Sequence, residues 1–237
     1  MTRRRWIADE VSGSRAALVG SHADHLARVL RARIGQEFDI ASPQGVRRGR
    51  VVSVSDGRVE FELGEAVSAS ETLSLTLFLS IFKFDRMEWA IEKCVELGVA
   101  RISPVIAQRT GAHLANAAAK RVERWQRIAQ QAAEQSRRAF SPEISEPVSL
   151  KEAVKAATGV RIVLAESEED TTFKDALRTI PPARDVTLAF GPEGGWTEPE
   201  LELFRGQGWI AASLGSTILR AETAAIAATA IAFAELP

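Results

Sequence analysis

Apolar and polar residues alternate in the first part of the chain. The alternation runs over residues 38–63 and is interrupted by a Pro-Gln-Gly turn at 43–45 and an Asp-Gly turn at 56–57. This pattern is typical of a short antiparallel meander, in which every second side chain faces the core. Residues 1–70 are therefore predicted to form a small β-rich domain.

One helix is predicted before the meander. Ser21 and Asp24 fit a capping box at its start. His22 and His25 lie three positions apart on it, but no third ligand follows nearby in the sequence. We therefore expect local packing or an RNA contact for these histidines and no metal site. The side chains of its apolar face are Leu26, Val29 and Leu30.

After a weak linker at 67–72 the pattern changes, because short apolar runs now alternate with amphipathic segments. Such alternation predicts a parallel α/β sheet over residues 73–237, with ligands bound at the carboxyl ends of its strands. The predicted strands are 73–81, 101–106, 160–165, 185–190 and 209–214. The predicted helices are 85–97, capped by Asp85 and Glu88 and stopped by Gly98, then about 115–138, and about 150–157.

Composition indicates a cytoplasmic protein. Hydrophobic residues make up 46% of the 237 positions, which suffices for a core. The single Cys94 excludes a disulfide framework. The longest apolar stretch, 224–236, is mostly alanine and too short to cross a membrane.

The charges are unevenly distributed along the chain. The net charge is −1, yet residues 101–140 carry eight Lys or Arg against two Glu. Further clusters lie at 3–5 and 47–50. This local excess favours a polyanion as partner, and a solvated helix face remains the alternative.

A glycine-rich segment, "FGPEGGWTEPE", follows the strand that ends at Phe190. Its glycines at 191, 194 and 195 leave the backbone free to approach a ligand, and Thr197 with Glu200 predicts a capping box for the next helix. Such loops commonly hold nucleotide-like ligands, although a tight turn has the same composition. The segment matches neither the dinucleotide fingerprint nor a phosphate loop.

A second segment of this kind, "LGSTILRAETAA" at 214–225, also contains a glycine turn and leads into a helix. Together the two segments resemble the paired signature of the small-subunit (16S) ribosomal RNA uracil-N3 methyltransferases, a family of the knotted SPOUT superfamily. Residues 25–31, 83–99 and 124–138 are also similar to family elements. Arg86 replaces a more usual lysine, Trp196 replaces a phenylalanine, and 107–113 is a looser match.

The resemblance implies the fold and the cofactor. Residues 1–70 would be a PUA-like RNA-binding barrel, and 73–237 a SPOUT methyltransferase domain with a C-terminal trefoil knot. The cofactor would be S-adenosylmethionine (AdoMet), with no metal. The residues expected to hold it are Leu164, Glu166, Gly191, Pro192, Glu193, Gly194, Gly195, Leu214, Gly215, Ile218, Leu219, Arg220 and Thr223.

The partners implied by the resemblance are 16S ribosomal RNA, within the small ribosomal subunit, and a second copy of the chain. The alanines after Thr223 suit helix packing in a homodimer, but an ordinary buried helix has the same composition. The residues expected to contact RNA are Arg4, Arg31, Lys83, Arg137 and Arg138.

Methylation of uracil N3 requires loss of its proton, and negative charge then develops on O2 and O4. A guanidinium can stabilise that charge, and a carboxylate can accept the proton. The candidates are Arg220 or Arg138 for the first role and Glu193 or Glu222 for the second. Each glutamate has a structural alternative, in which it holds loop N–H groups or pairs with Arg220.

Two other functions remain open. One is a ribose 2'-O-methyltransferase of the same superfamily, whose last motif usually carries serine and asparagine where this chain has "ILRAET". The other is an RNA-binding protein without catalytic activity. AdoMet binding and the methylated nucleoside distinguish the three.

Overall fold

The structure is a computed structural model that describes residues 5–42, 45–67, 73–136, 138, 140–181 and 185–236. The chain groups into two compact units. The first is Met1–Ser70 with Ala133–Phe140, and the second is Glu71–Ala132 with Ser141–Pro237. This grouping differs from the expected domains 1–70 and 73–237 in residues 133–140, which the sequence pattern assigns to the second domain.

The first unit is built on a six-stranded sheet with the order β1-β4-β5-β6-β3-β2. All neighbouring pairs are antiparallel except β1 with β4. Its buried core includes Leu18, Leu26, Ile40 and Phe61. The strands are β1 (Arg5–Ile7), β2 (Glu10–Ser12), β3 (Arg15–Val19), β4 (Glu37–Ser42), β5 (Gly45–Ser55) and β6 (Arg58–Ala66).

The predicted meander corresponds to β4, β5 and β6. Ser55 pairs with Arg58 across the Asp56-Gly57 turn. Gly57 has a φ of +67°, a left-handed conformation that glycine adopts without strain. Residues 43–44 of the other predicted turn lie outside the described residues.

The first helix is short. It consists of α1 (Gly20–Asp24) followed by a π-helical turn, His25–Val29. The predicted Ser21 capping box is wrong, because the N-cap is Val19 and it has no side-chain cap. Instead, the Asp9 carboxylate accepts the Val19 N–H at 2.8 Å and contacts His22 Nδ1 at 3.0 Å. A residue distant in sequence thus replaces the local cap.

The second unit contains a seven-stranded, entirely parallel sheet. Its order is β10-β8-β7-β12-β11-β13, and β9 also pairs with β8. The five predicted strands are confirmed; β9 and β10 are too short to show a pattern. The strands are β7 (Ser74–Ser80), β8 (Arg101–Ile106), β9 (Glu143–Ile144), β10 (Val148–Ser149), β11 (Val160–Leu164), β12 (Asp185–Phe190) and β13 (Ile210–Ala212).

Helices pack against this sheet. Leu150 of α5 and Phe204 of α7 belong to one buried cluster with Phe78 and Val163 of the sheet. Elsewhere α8 packs against α2 and α6. The helices are α2 (Phe84–Leu97), α3 (Ala112–Ala118), α4 (Val122–Gln135), α5 (Leu150–Ala156), α6 (Phe173–Thr179), α7 (Glu198–Gly206) and α8 (Ala221–Glu235).

Two helix predictions need correction. The predicted cap of α2 is absent: Lys83 is the N-cap without a side-chain bond. Glu88 instead accepts two hydrogen bonds from Arg124, at 2.7 and 2.8 Å. The predicted helix at about 115–138 is α3, a 3-10 turn (Ala119–Arg121) and α4. The stop at Gly98 is confirmed, with a φ of +120°.

Candidate functional site

A cavity of about 550 Å³ lies at the carboxyl ends of three neighbouring strands in the second unit. Leu164 ends β11 and pairs with Phe190, the last residue of β12, and with Ala212, the last residue of β13. The loops after these strands therefore start side by side and form the walls. The lining residues are 164–167, 190–193, 195–196, 213–221, Ala224, Arg86 and Arg109.

The loop after β12, residues 191–196, is the glycine loop, and Gly195 fixes its shape. Its φ is +69°, and its N–H donates to the Pro192 carbonyl at 2.8 Å. A Cβ at this position would lie 2.8 Å from Glu166 Oε1, closer than such atoms approach. The positive φ therefore favours glycine, and a Cβ would in addition force the flexible Glu166 side chain to shift.

Two longer side chains hold the same loop. The Arg109 guanidinium donates to the Gly194 carbonyl and, at 3.3 Å, to the Trp196 carbonyl. The Trp196 indole N–H donates to the Leu164 carbonyl at 2.9 Å. Arg109 was missed as a site residue, because the sequence only showed it within the basic stretch.

The helix that follows the glycine loop is capped as predicted. Thr197 and Glu200 form a capping box at the start of α7. The Gln108 N–H donates to Glu200 Oε1 at 2.7 Å. This carboxylate therefore also connects the loop after β8 to α7.

A charged cluster lies at one side of the cavity. Arg86 Nη1 donates to Glu193 Oε1 at 2.9 Å, and Arg86 Nε lies 3.7 Å from Glu222 Oε1. Glu222 is only 3% exposed, and its Oε2 has no hydrogen-bond partner among the described residues. Of the structural alternatives for these glutamates, pairing with Arg220 is not observed among the described residues, where both carboxylates lie beside Arg86 of α2. Nothing in the local sequence indicates this contact.

Arg220 lines the cavity at the N-cap of α8. Its side chain is exposed, and within the described ranges no carboxylate lies at ion-pair distance from it. An unpaired guanidinium at the wall of a cavity is suited to a ligand that carries or develops negative charge.

The expected cofactor residues lie together. All except Gly194 and Thr223 line the cavity. The Gly194 carbonyl is held by Arg109, and Thr223 is exposed on α8.

The expected RNA-contacting residues are more widely spread. Lys83 is the N-cap of α2. Arg31 belongs to the first unit and has a φ of +53°. Arg138 also belongs to the first unit, where burial lowers the pKa of its guanidinium. Arg4 and Arg137 lie outside the described residues.

The structure also bears on other kinds of site. Within the described ranges, no three His, Cys, Asp or Glu side chains are grouped so as to hold a metal ion. None of the described helices has the length and apolar character needed to cross a membrane.

Comparison with known proteins identifies the family of this chain. Residues 69–233 match the family model of the RNA methyltransferase domain. Ribosomal RNA small subunit methyltransferase E of Synechocystis sp. is 32% identical over 228 residues, which cover 94% of this chain and 74% of that protein. The Bacillus subtilis protein of the same name is 30% identical, with coverages of 88% and 85%.

A solved structure agrees with these relatives. The crystal structure of a ribosomal RNA small subunit methyltransferase E from Neisseria gonorrhoeae, bound to S-adenosyl methionine, has a TM-score of 0.73 and 30% identity. The match covers 99% of this chain and 98% of that one. The present chain belongs to the ribosomal RNA small subunit methyltransferase E family.

Proposed function

We propose that this protein is an AdoMet-dependent methyltransferase that modifies N3 of a uridine in 16S ribosomal RNA of the small ribosomal subunit. The observation that carries the proposal is the glycine-loop cavity at the ends of β11, β12 and β13 in a chain of this family. The Neisseria relative of the same fold is solved with S-adenosyl methionine. Such an enzyme acts in the cytoplasm, where ribosomal RNA is found.

The lining of the cavity fits AdoMet. Leu164, Phe190 and Leu219 supply apolar surface for an adenine ring. The loops at 191–195 and 214–219 expose backbone groups that can bind polar edges of the ligand. Glu166 adds a carboxylate that can accept hydrogen bonds from ribose hydroxyls.

The chemistry of the reaction assigns a role to two charged side chains. When bound, AdoMet supplies the methyl group: uracil N3 bonds to the methyl carbon as the carbon–sulfur bond breaks and its electron pair stays on sulfur. Arg220, unpaired among the described residues, stabilises the negative charge on the uracil oxygens. Glu193 accepts the N3 proton, because its carboxylate lines the cavity whereas Glu222 is not among the lining residues.

The roles of the two units are part of the proposal. Residues 1–70 act as a PUA-like RNA-binding barrel. The RNA is contacted by Arg4 and Arg31 of this barrel and by Lys83, Arg137 and Arg138. Residues 73–237 form a SPOUT domain with a C-terminal trefoil knot and pair with a second copy. Support for the knot comes from residues after β13 that run against the loop after β11: the Ser213 N–H donates to Thr171 at 2.9 Å, and the Phe173 N–H donates to Ser213 at 2.7 Å.

Two measurements test the activity. Calorimetry with AdoMet should show binding, and labelled AdoMet should transfer its methyl group to 16S RNA or to small subunits from a strain that lacks the gene. Heat of binding together with transfer supports the proposal. Absence of both leaves only an RNA-binding protein and refutes it.

A further inference from the structure

Arg86 lies between two carboxylates that belong to different parts of the second unit. Glu193, which accepts its hydrogen bond at 2.9 Å, lies in the glycine loop after β12. Glu222, whose Oε1 is 3.7 Å from Arg86 Nε, lies in the first turn of α8. One guanidinium of α2 therefore connects the loop and the helix that border the cavity.

Glu222 is the buried member of the two carboxylates beside Arg86. A carboxylate that is 3% exposed needs a compensating charge or several hydrogen bonds, and its Oε2 has no partner in the described part of the chain. Within the same described ranges, the cation at ion-pair distance from the Glu222 carboxylate is Arg86. Glu222 thus anchors the guanidinium from the buried side.

Glu193 lies on the open side of Arg86. Its side chain is 37% exposed, so without a partner it would sample several rotamers beside the cavity. The hydrogen bond from Arg86 selects one of them. A carboxylate held in one productive rotamer accepts a proton faster than a carboxylate that samples several rotamers.

We propose that Arg86 is a positioning residue for the methyl transfer, which holds the Glu193 carboxylate at the cavity while buried Glu222 fixes the guanidinium from behind. This inference rests on the proposed function and adds a residue to it. Arg86 acts through Glu193 and needs no contact with the uracil or with AdoMet. Its contributions to activity and to stability are therefore separable.

The activity test uses Arg86→Gln and Arg86→Lys. Single-turnover methylation of RNA by Arg86→Gln should fall by about tenfold to a hundredfold, while AdoMet affinity changes far less. Arg86→Lys keeps a positive charge beside Glu193 and should retain more turnover. Because Arg86 acts through Glu193, Arg86→Gln/Glu193→Gln should be no slower than Glu193→Gln alone. Multiplied losses in the double variant would overturn the proposal.

Thermal unfolding of the protein alone supplies a readout besides activity. Arg86→Gln should lower Tm, because Glu222 is left buried without a cation. Adding Glu222→Gln should recover Tm, since the uncompensated charge is gone, but should not recover turnover, because Glu193 remains without its tether. Recovery of wild-type turnover in Arg86→Gln/Glu222→Gln would overturn the inference.

A matched control breaks another ion pair of α8. Lys174 of α6 lies 3.0 Å from Glu235, at the far end of α8 and outside the cavity lining. Lys174→Gln should leave turnover unchanged. An inactive wild-type enzyme refutes the proposed function itself, whereas an active wild type with a fully active Arg86→Gln refutes the role of Arg86 alone.

Discussion

The indole N–H of Trp196 donates to the carbonyl oxygen of Leu164 at 2.9 Å, and both residues are buried. Leu164 is the last residue of β11, and Trp196 is the last residue of the glycine loop after β12. This hydrogen bond therefore connects two walls of the cavity.

Trp196→Phe should lower the free energy of unfolding by about 1–3 kcal/mol, because the buried Leu164 carbonyl loses its donor. AdoMet affinity should fall as well, since the loop is less firmly held. Chemical denaturation and calorimetry measure the two effects. Trp209→Phe is the matched control: Trp209 packs in the same aromatic cluster, but its indole N–H has no partner among the described residues. Equal losses in both variants would show that the bond contributes nothing.

Gly195→Ala should weaken AdoMet binding without unfolding the protein. Alanine would have to adopt the left-handed conformation of Gly195, which costs about 1–2 kcal/mol, and its methyl group would also displace Glu166. Gly206→Ala is the control, since a Cβ there meets no atom within 4 Å. Circular dichroism checks the fold and calorimetry the affinity. If both variants bind AdoMet equally well, the loop is not the cofactor site.

Burial raises the pKa of Cys94 to about 12, while its hydroxyl partner Thr229 acts in the opposite direction. The neutral thiol is therefore favoured in the folded state. The resulting stabilisation is complete below the unfolded pKa and is lost as the pH rises from about 9 towards 12, by about 1.4 kcal/mol per pH unit. The chain has no tyrosine, but its six lysines also titrate in this range, so the loss must be measured against a variant that lacks the thiol.

Unfolding free energies between pH 9 and 11 measure this loss, with Cys94→Ala as the reference. The wild type should lose stability more steeply than the variant. The native thiol should also resist modification at pH 8. Parallel slopes, or fast modification of the native protein, would contradict the assigned burial effect.

The basic stretch is partly used within the protein. Arg101 pairs with Glu143 at 2.9 Å, Arg124 pairs with Glu88, and Arg109 holds the glycine loop. The expectation from the sequence is that Arg137 and Arg138, at the end of the stretch, contact RNA. Replacing Arg137 and Arg138 together by alanine should weaken RNA binding. The slope of log binding constant against log salt concentration should become shallower by about 0.7–0.9 per lost phosphate contact.

Binding isotherms at several salt concentrations measure this slope, with Arg124→Ala as the control because its guanidinium is already engaged by Glu88. The control should keep the wild-type slope. Unchanged RNA affinity with a large loss of single-turnover rate in the double variant would instead place one of these arginines at the uracil.

Local sequence predicted the strands and the glycine loops well. The apolar runs predicted as strands form β7, β8, β11, β12 and β13 of the sheet. Leu164 and Gly191 line the cavity because they lie at the ends of two of these strands. The capping box of Thr197 is confirmed since its partner is three residues away. Contacts between residues a few positions apart can be predicted from the local sequence.

Contacts between distant segments could not be predicted in this way. Arg86 and Glu193 are 107 residues apart, and Arg109 and Gly194 are 85 apart. The failed cap of α2 has the same origin, because Glu88 is taken by Arg124 of another helix. Arg86 and Arg109 carry the same charge as many surface residues, so only the fold distinguishes them.

The most direct test of the proposed function is the identity of the methylated nucleoside. Small subunits from a strain that lacks the gene are incubated with the wild-type protein and AdoMet, and their 16S RNA is digested to nucleosides for mass spectrometry. We expect N3-methyluridine that is absent before incubation and present after it. A 2'-O-methyl nucleoside, or no new methylated nucleoside, would contradict it.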